Sequence, residues 1–270
     1  IGRYMLLIWA NTVMTAVCLL YFVVNHLSVL IFVRFLHGLS FGASTIVMQV
    51  AVAEMIPKHR MGEGLSIYSS GTQVASAIGP LIGIFLIQQE ITIHLFVLSA
   101  AITFFCLTMT LLVKIPETNI TKDQIDELKR LSLSGFIEAK AIPMSIIAAI
   151  FGITHASIVS FLVLFSMSIH LTNVASLFFI IFSISIVLSR LLSGRVLDEK
   201  GENVVMYPTL VVFTFGMLLL SQANNSLVFI LSAVLCGIGY GISYSVSQTI
   251  VIRDSPRHRV GLATSTYFLF

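Results

Sequence analysis

The sequence predicts an all-α integral membrane protein: two helical bundles built as parallel pseudo-repeats, with eight complete membrane spans and the start of a ninth. Three observations carry this expectation, namely a scarcity of charge, long runs free of any charge, and an internal repeat. Of the 270 residues 57% are hydrophobic and only 10% are charged, and the mean hydropathy is +1.01. A soluble domain carries about 25% charged residues. This chain could not cover its apolar surface in water, so a globular fold is excluded and the bilayer becomes the expected partner. The net charge of +3 is too small to argue for nucleic acid.

Each span follows from a run without Asp, Glu, Lys or Arg, since crossing the hydrocarbon takes about 20 apolar residues. The first is expected near 4–24, closing at the polar Asn25-His26. The second, near 28–53, stays apolar on both sides of its single charge, Arg34. The third, near 64–88, follows the turn Pro57-Lys-His-Arg60, and the fourth lies near 92–113. The run 141–189 is long enough for two helices and breaks at Ser168–Asn173, giving spans near 143–167 and 173–193. The run 203–252 breaks likewise at Gln222–Ser226, giving spans near 204–221 and 227–251, and a ninth begins at about 261.

Between the fourth and fifth spans, Lys114 to Ile142 is the only long polar stretch. Thr121-Lys-Asp-Gln124 resembles a capping box, and Ile125, Leu128, Leu131 and Leu133 give a short apolar face. The expected organisation is therefore a partial bundle over 1–113, a linker with an amphipathic helix over 114–142, and a second partial bundle over 143–270.

Placed on these spans, the basic residues gather on one side. Arg3, Lys58, Arg60, the five of the linker, Arg195, Lys200, Arg253, Arg257 and Arg259 share it. Arg190 is read into the last inward turn of its helix. The connections Asn25–Leu27, Gln89–Ile91, Ser168–Thr172 and Gln222–Ser226 on the other side hold none. Such asymmetry places the basic loops and linker in the cytoplasm of a multi-pass protein of the cell membrane. Arg34 alone is left inside a span. The three cysteines (Cys18, Cys106, Cys236) lie far apart in apolar runs and are expected as free packed thiols. The chain opens at Ile1 and closes within an apolar run, so it is expected to be an internal piece of a longer protein with no signal peptide in it.

The repeat has a constant offset of 199. Leu36, Gly38, Gly42, Ser44, Val47, Gln49, Val52, Pro57, His59, Arg60, Gly62, Ser66 and Tyr68 recur as Leu235, Gly237, Gly241, Ser243, Val246, Gln248, Val251, Pro256, His258, Arg259, Gly261, Ser265 and Tyr267, without a gap. Gly2 likewise falls on Gly201. Both copies run inward, turn at Pro-x-His-Arg-x-Gly and head outward, so they are related by an axis along the membrane normal, as in the halves of some secondary transporters.

Four motifs then resemble the major facilitator superfamily. Gly194-Arg-Val-Leu-Asp198-Glu-Lys-Gly201 is similar to its loop motif Gly-x-x-x-Asp-Arg/Lys-x-Gly-Arg/Lys, with Glu199 where a basic residue stands in the pattern. Gly2-Arg3 looks like the tail of the other copy. Arg34-Phe-Leu-His-Gly38-Leu-Ser-Phe-Gly42 resembles the motif of the family's fourth helix. Ala75-Ser-Ala-Ile-Gly79-Pro80-Leu-Ile-Gly83 resembles the Gly-Pro motif of the fifth helix in the drug:proton antiporter branch, with Ala75 and Ile84 replacing glycines. By this alignment the family's first two helices and most of its last two are missing.

The resemblance implies roles beside which plainer readings stand. Arg34 and His37 would serve proton coupling; otherwise Arg34 reaches up to the outer head groups and His37 packs. Gly79, Pro80 and Gly83 would bend a helix and seal the cavity, or form an ordinary kinked packing helix. Gly38, Gly42, Gly237 and Gly241 read as packing positions. Phe41, Thr45, His155, Tyr240, Tyr244 and Gln248 would line a substrate cavity, with Tyr240, Tyr244 and Gln248 on one face; the same stripe could be core. Gly194, Asp198 and Gly201 would form a conformational switch loop, Asp198 meeting the positive end of a neighbouring helix. Otherwise Asp198 joins a solvated cluster with Arg195, Glu199 and Lys200.

The implied function is a secondary active transporter exporting small hydrophobic compounds or drugs in exchange for protons by alternating access. The alternatives are a metabolite importer or symporter of the same superfamily, or a non-transporting membrane sensor on this scaffold. No metal motif or nucleophile–base signature appears in the sequence, so no enzyme activity, cofactor or metal is expected. The resemblance implies a monomer.

Overall fold

The computed structural model describes residues 2–88, 92–113 and 137–270. The described residues form nine α-helices: α1 (Arg3–Leu20), α2 (Leu27–Met55), α3 (Met61–Gln88), α4 (Thr92–Leu112), α5 (Ile142–Ser168), α6 (Thr172–Lys200), α7 (Glu202–Ser221), α8 (Ser226–Asp254) and α9 (Val260–Leu269). No strand occurs among them. Seven helices, all but α3 and α9, are long and apolar enough to cross a membrane, and α3 with its 28 residues matches them in length. Each expected span is present as a helix, and both Pro-x-His-Arg turns form short 3-10 segments, Lys58–Arg60 and Arg257–Arg259. The amphipathic helix expected in the linker, and the connection Gln89–Ile91, lie outside the described residues.

The helix ends follow local chemistry. Asn225 caps α8, its side-chain oxygen accepting from the Val228 amide at 2.9 Å. Between α6 and α7 the chain reverses at Gly201 with φ +83°, a left-handed conformation that costs glycine little. The α6 helix runs to Lys200, seven residues past the expected end, because Arg195, Glu199 and Lys200 continue it as an exposed turn with an Arg195–Glu199 pair at 2.9 Å.

The chain divides into two compact units, Ile1–Met55 with Ile78–Ile125, and Ile56–Ala77 with Asp126–Phe270. In the first, α1 packs on α2 and α4. A polar stitch crosses all three helices: Asn11 donates to Thr110 Oγ1 at 2.8 Å, and Ser44 donates to Asn11 Oδ1 at 2.8 Å. In the second unit α8 is the central helix. Phe178, Phe182 and Ile186 of α6, Phe151 and Ile158 of α5, Phe213 of α7 and Phe229 of α8 form one buried cluster.

Glycines let α8 sit this deep. A Cβ on Gly237 would lie 2.6 Å from the Phe182 carbonyl oxygen, and one on Gly241 2.8 Å from that of Ile186, so α8 and α6 meet nearly backbone to backbone. On the opposite side Gly239 does the same against Phe213 of α7. Gly38 and Gly42, their counterparts on α2, have nothing within 4 Å, so the packing expected for all four is present at two. The cysteines are free, Cys18 and Cys236 buried as expected, Cys106 exposed.

The repeat also carries a pair that pattern matching by identity does not reveal. In the first copy Arg3 at the start of α1 pairs with Glu54 at the end of α2, 2.5 Å apart. At the same offset of 199 the second copy has Glu202 at the start of α7 paired with Arg253 at the end of α8. The positions are equivalent and the charges are exchanged, which keeps each pair attractive while altering both sequences. Reversing Arg3 to Glu alone is expected to lower the stability of the chain by about 1 kcal/mol, and adding Glu54→Arg is expected to restore it. Thermal unfolding of the two single variants and the double would check the coupling.

Candidate functional site

Besides the Asn11 stitch, the described residues place basic and aromatic side chains together in each unit. In the first unit, Tyr21 at the end of α1 is the meeting point. Its hydroxyl lies 3.2 Å from His37 Nδ1, its ring lies 5.1 Å from Arg34 Cζ, and Phe96 of α4 stacks on it at 5.8 Å. Arg34 and His37, three residues apart on α2, thus share one aromatic partner. Arg34 is exposed and has no carboxylate partner among the described residues. Phe41 and Thr45 continue along α2, Phe41 exposed and Thr45 half-buried. Tyr21 was not expected as a site residue; its polar setting at the end of an apolar span was the available signal.

In the second unit, His155 is the middle residue of α5 and Tyr240 the middle residue of α8. Their rings stack at 3.9 Å with an angle of 8°. Phe182 lies 5.7 Å from the other partner ring, His155, and Tyr244 follows Tyr240 at 6.1 Å, one turn along α8. Tyr267 of α9 closes the row 6.2 Å from Tyr244, with its hydroxyl 3.0 Å from Ser247 Oγ. His155, Tyr240 and Tyr244 are only half-buried, so the row is a wall with an open side. The structure therefore brings together three of the residues expected to line a cavity. Gln248, one turn further along, is buried at 4% exposure.

Beneath this wall stands a residue that the sequence reading misplaced. Arg190 lies ten residues before the end of α6, about 15 Å along the helix axis, and not in its last turn. It is 1% exposed. Its Nε donates to the Gly241 carbonyl at 3.2 Å, its Nη1 donates to the Ser69 carbonyl at 2.8 Å, and its Cζ lies 4.8 Å from the Tyr244 ring. Arg190, like Arg34, thus lies within the body of a long apolar helix. The signal was present, because apolar residues Leu191-Leu192 and Val196-Leu197 continue past Arg190 as they do past Arg34.

A seam joins α6 to the start of α3. Asp198 Oδ1 accepts from the Gly62 amide at 2.8 Å and Oδ2 from the Glu63 amide at 2.9 Å. These are first-turn amides of α3, which have no partner inside their own helix and present the positive end of its dipole. Asp198 thus takes the helix-end position, while Arg195 and Glu199 pair with each other. Close approach makes this possible: a Cβ on Gly194 would lie 2.5 Å from the Gly62 carbonyl oxygen. Further along, Ser66 and Ser245 hydroxyls meet at 2.7 Å, and Arg190 holds Ser69. The helix α3 then continues unbroken through Gly79 and Pro80, where a Cβ on Gly79 would meet nothing within 4 Å and one on Gly83 would touch Leu95 at 3.5 Å.

Among the described residues no group of three or more His, Cys, Asp or Glu could hold a metal ion. Long apolar helices and an internal repeat at a constant offset of 199 define a polytopic membrane protein. The chain belongs to the Major Facilitator Superfamily, whose family model matches residues 1–270. It is 26% identical over 247 residues to an uncharacterised MFS-type transporter of Methanocaldococcus jannaschii, covering 87% of this chain and 62% of that relative. The chain thus spans about three fifths of the length of the curated relative it matches. It also superposes on the crystal structure of the human organic anion transporter MFSD10 (TETRAN), with a TM-score of 0.78 and 13% identity over 98% of this chain and 67% of that one. This second likeness shows the fold. Membership makes the chain part of a multi-pass membrane protein of a transporter family.

Proposed function

We propose that the protein is a secondary active transporter that moves a small hydrophobic compound across the cell membrane by alternating access, exporting it in exchange for protons. The observation that carries the reading is the half-buried row His155–Tyr240–Tyr244, placed at the middle of α5 and α8. An apolar wall with a few polar groups at mid-membrane suits a small ligand that must bind and leave. The seam of Asp198 on α3 is the element that would part when the site opens toward that end. Export and proton exchange are supported by the likeness of the Gly79-Pro80 segment to the antiporter motif and by the Arg34–Tyr21–His37 cluster, which holds a titratable ring beside a fixed charge. The basic loops and linker would face the cytoplasm, and the working unit would be a monomer.

The test is flux through the full-length protein in vesicles carrying an imposed pH gradient. Outward movement of a lipophilic dye against its gradient, abolished by an uncoupler, is the expected result. Movement of the dye in the same direction as protons would favour the symporter reading. No flux in either direction with any gradient would leave a non-transporting sensor as the better reading.

A further inference from the structure

Arg190 is buried and has no counter-charge among the described residues. A guanidinium taken out of water costs several kcal/mol unless it is paired, and two main-chain carbonyls and one aromatic face offset only part of that. Every described carboxylate is engaged elsewhere: Glu54 with Arg3, Glu63 with Arg60, Glu138 with Arg259, Glu199 with Arg195, Glu202 and Asp254 with Arg253, and Asp198 with the α3 amides. All of these lie at helix ends or in turns, whereas Arg190 lies in the body of α6 beside the aromatic row. The two hydrogen bonds use two of its five donors.

Resting on the transport reading above, we infer that the site takes an organic acid, with its carboxylate, sulfonate or phosphate on Arg190 and its apolar body along His155, Tyr240 and Tyr244. The chemistry of the three parts agrees. Arginine matches a two-oxygen anion with a planar fork of donors. The stacked rings present a flat apolar surface on the open side of that charge. The His155 ring, which makes no hydrogen bond among the described residues, supplies a further donor at mid-wall. Tyr244 lies over the guanidinium in this conformation, so the anion is admitted when that ring turns aside.

The experiment uses full-length protein in detergent and three probes of one shape: naphthalene-2-carboxylate, its amide, and the matching naphthylmethylamine. Binding is read as ligand-dependent protection against thermal unfolding and by competition with a radiolabelled form of the acid. The expected result is that the acid binds and that the amide and the amine bind at least tenfold more weakly. Arg190→Gln should weaken the acid by about 10- to 100-fold, the loss of a charged hydrogen-bond pair, and leave the amide unchanged. Arg190→Lys, which keeps the charge, should recover part of that loss. Equal binding of all three probes, preference for the amine, or failure of the acid to bind would overturn the proposal, and the wild-type comparison stands even where a variant folds poorly. Vesicle flux separates the two readings: flux of a lipophilic dye by protein that does not bind the acid would leave transport standing and remove the acid site. Acid binding without any flux would do the reverse.

Discussion

Gly241→Ala is expected to destabilise the 270-residue chain by about 1–3 kcal/mol, the cost of overpacking a tight contact. Gly42→Ala, at the equivalent position of the first repeat, is expected to be neutral or to stabilise by about 0.5–1 kcal/mol through helix propensity. The sign differs because the surroundings differ. A methyl on Gly241 would meet Ser189 Oγ at 2.5 Å and the Ile186 carbonyl oxygen at 2.8 Å, and the latter belongs to helix backbone that cannot yield cheaply. A methyl on Gly42 would meet nothing within 4 Å. Gly237 and Gly38 should behave as the same contrasting pair. Thermal unfolding of the four variants in one detergent reads the difference. Equal losses at both copies would contradict the packing described here and would mean that α2 is covered by a further helix.

The second large effect is expected at Asp198. Replacing it with asparagine removes the charge and one of two acceptors facing the α3 amides, and hydrogen bonds to charged groups are each worth about 1.5–3 kcal/mol. Because Asp198 is only half-buried, a net shift of about 1–2 kcal/mol is the reasonable magnitude. That is about a 5- to 30-fold change in the balance between seam closed and seam open. The readout is the rate at which a cysteine at Tyr240, in otherwise cysteine-free full-length protein, reacts with a membrane-impermeant reagent added on the Asp198 side. The rate should rise in Asp198→Asn. An unchanged rate with lowered thermal stability would make Asp198 a helix cap and nothing more.

The fold was legible in this sequence for a physical reason. Hydrocarbon tolerates only long charge-free helices, so the charges themselves mark the boundaries, and each expected span is present. The largest slip is at Lys200, where charge does not end the helix because Arg195 and Glu199 pair along the exposed final turns of α6; α1 instead stops at Leu20, four residues short of its expected end. The site was legible in part. The 240–244–248 spacing placed Tyr240 and Tyr244 on one face, and the loop motif brought Asp198 to the α3 end. Arg190 lies deeper than expected because a charge near the end of an apolar run does not by itself mark a boundary, and its contacts with Ser69 and Gly241 are tertiary. Pairing of His155 with Tyr240, and of Arg34 with Tyr21, depends on helix packing, which a one-dimensional pattern does not contain. The exchanged charges at Arg3–Glu54 and Glu202–Arg253 escaped for the opposite reason: a search for identities passes over positions that agree by being opposite.

The central claim is that the wall around Tyr240 opens by turns to each side of the membrane, and cysteine labelling at that position tests it most directly. In vesicles holding the full-length protein, Tyr240→Cys should react with impermeant reagent from both sides, and weakening the Asp198 seam should raise one rate while lowering the other. Rates that rise together from both sides would indicate a pore, and a cysteine that reacts from neither side, or from one side only under every condition, would contradict alternating access through this site.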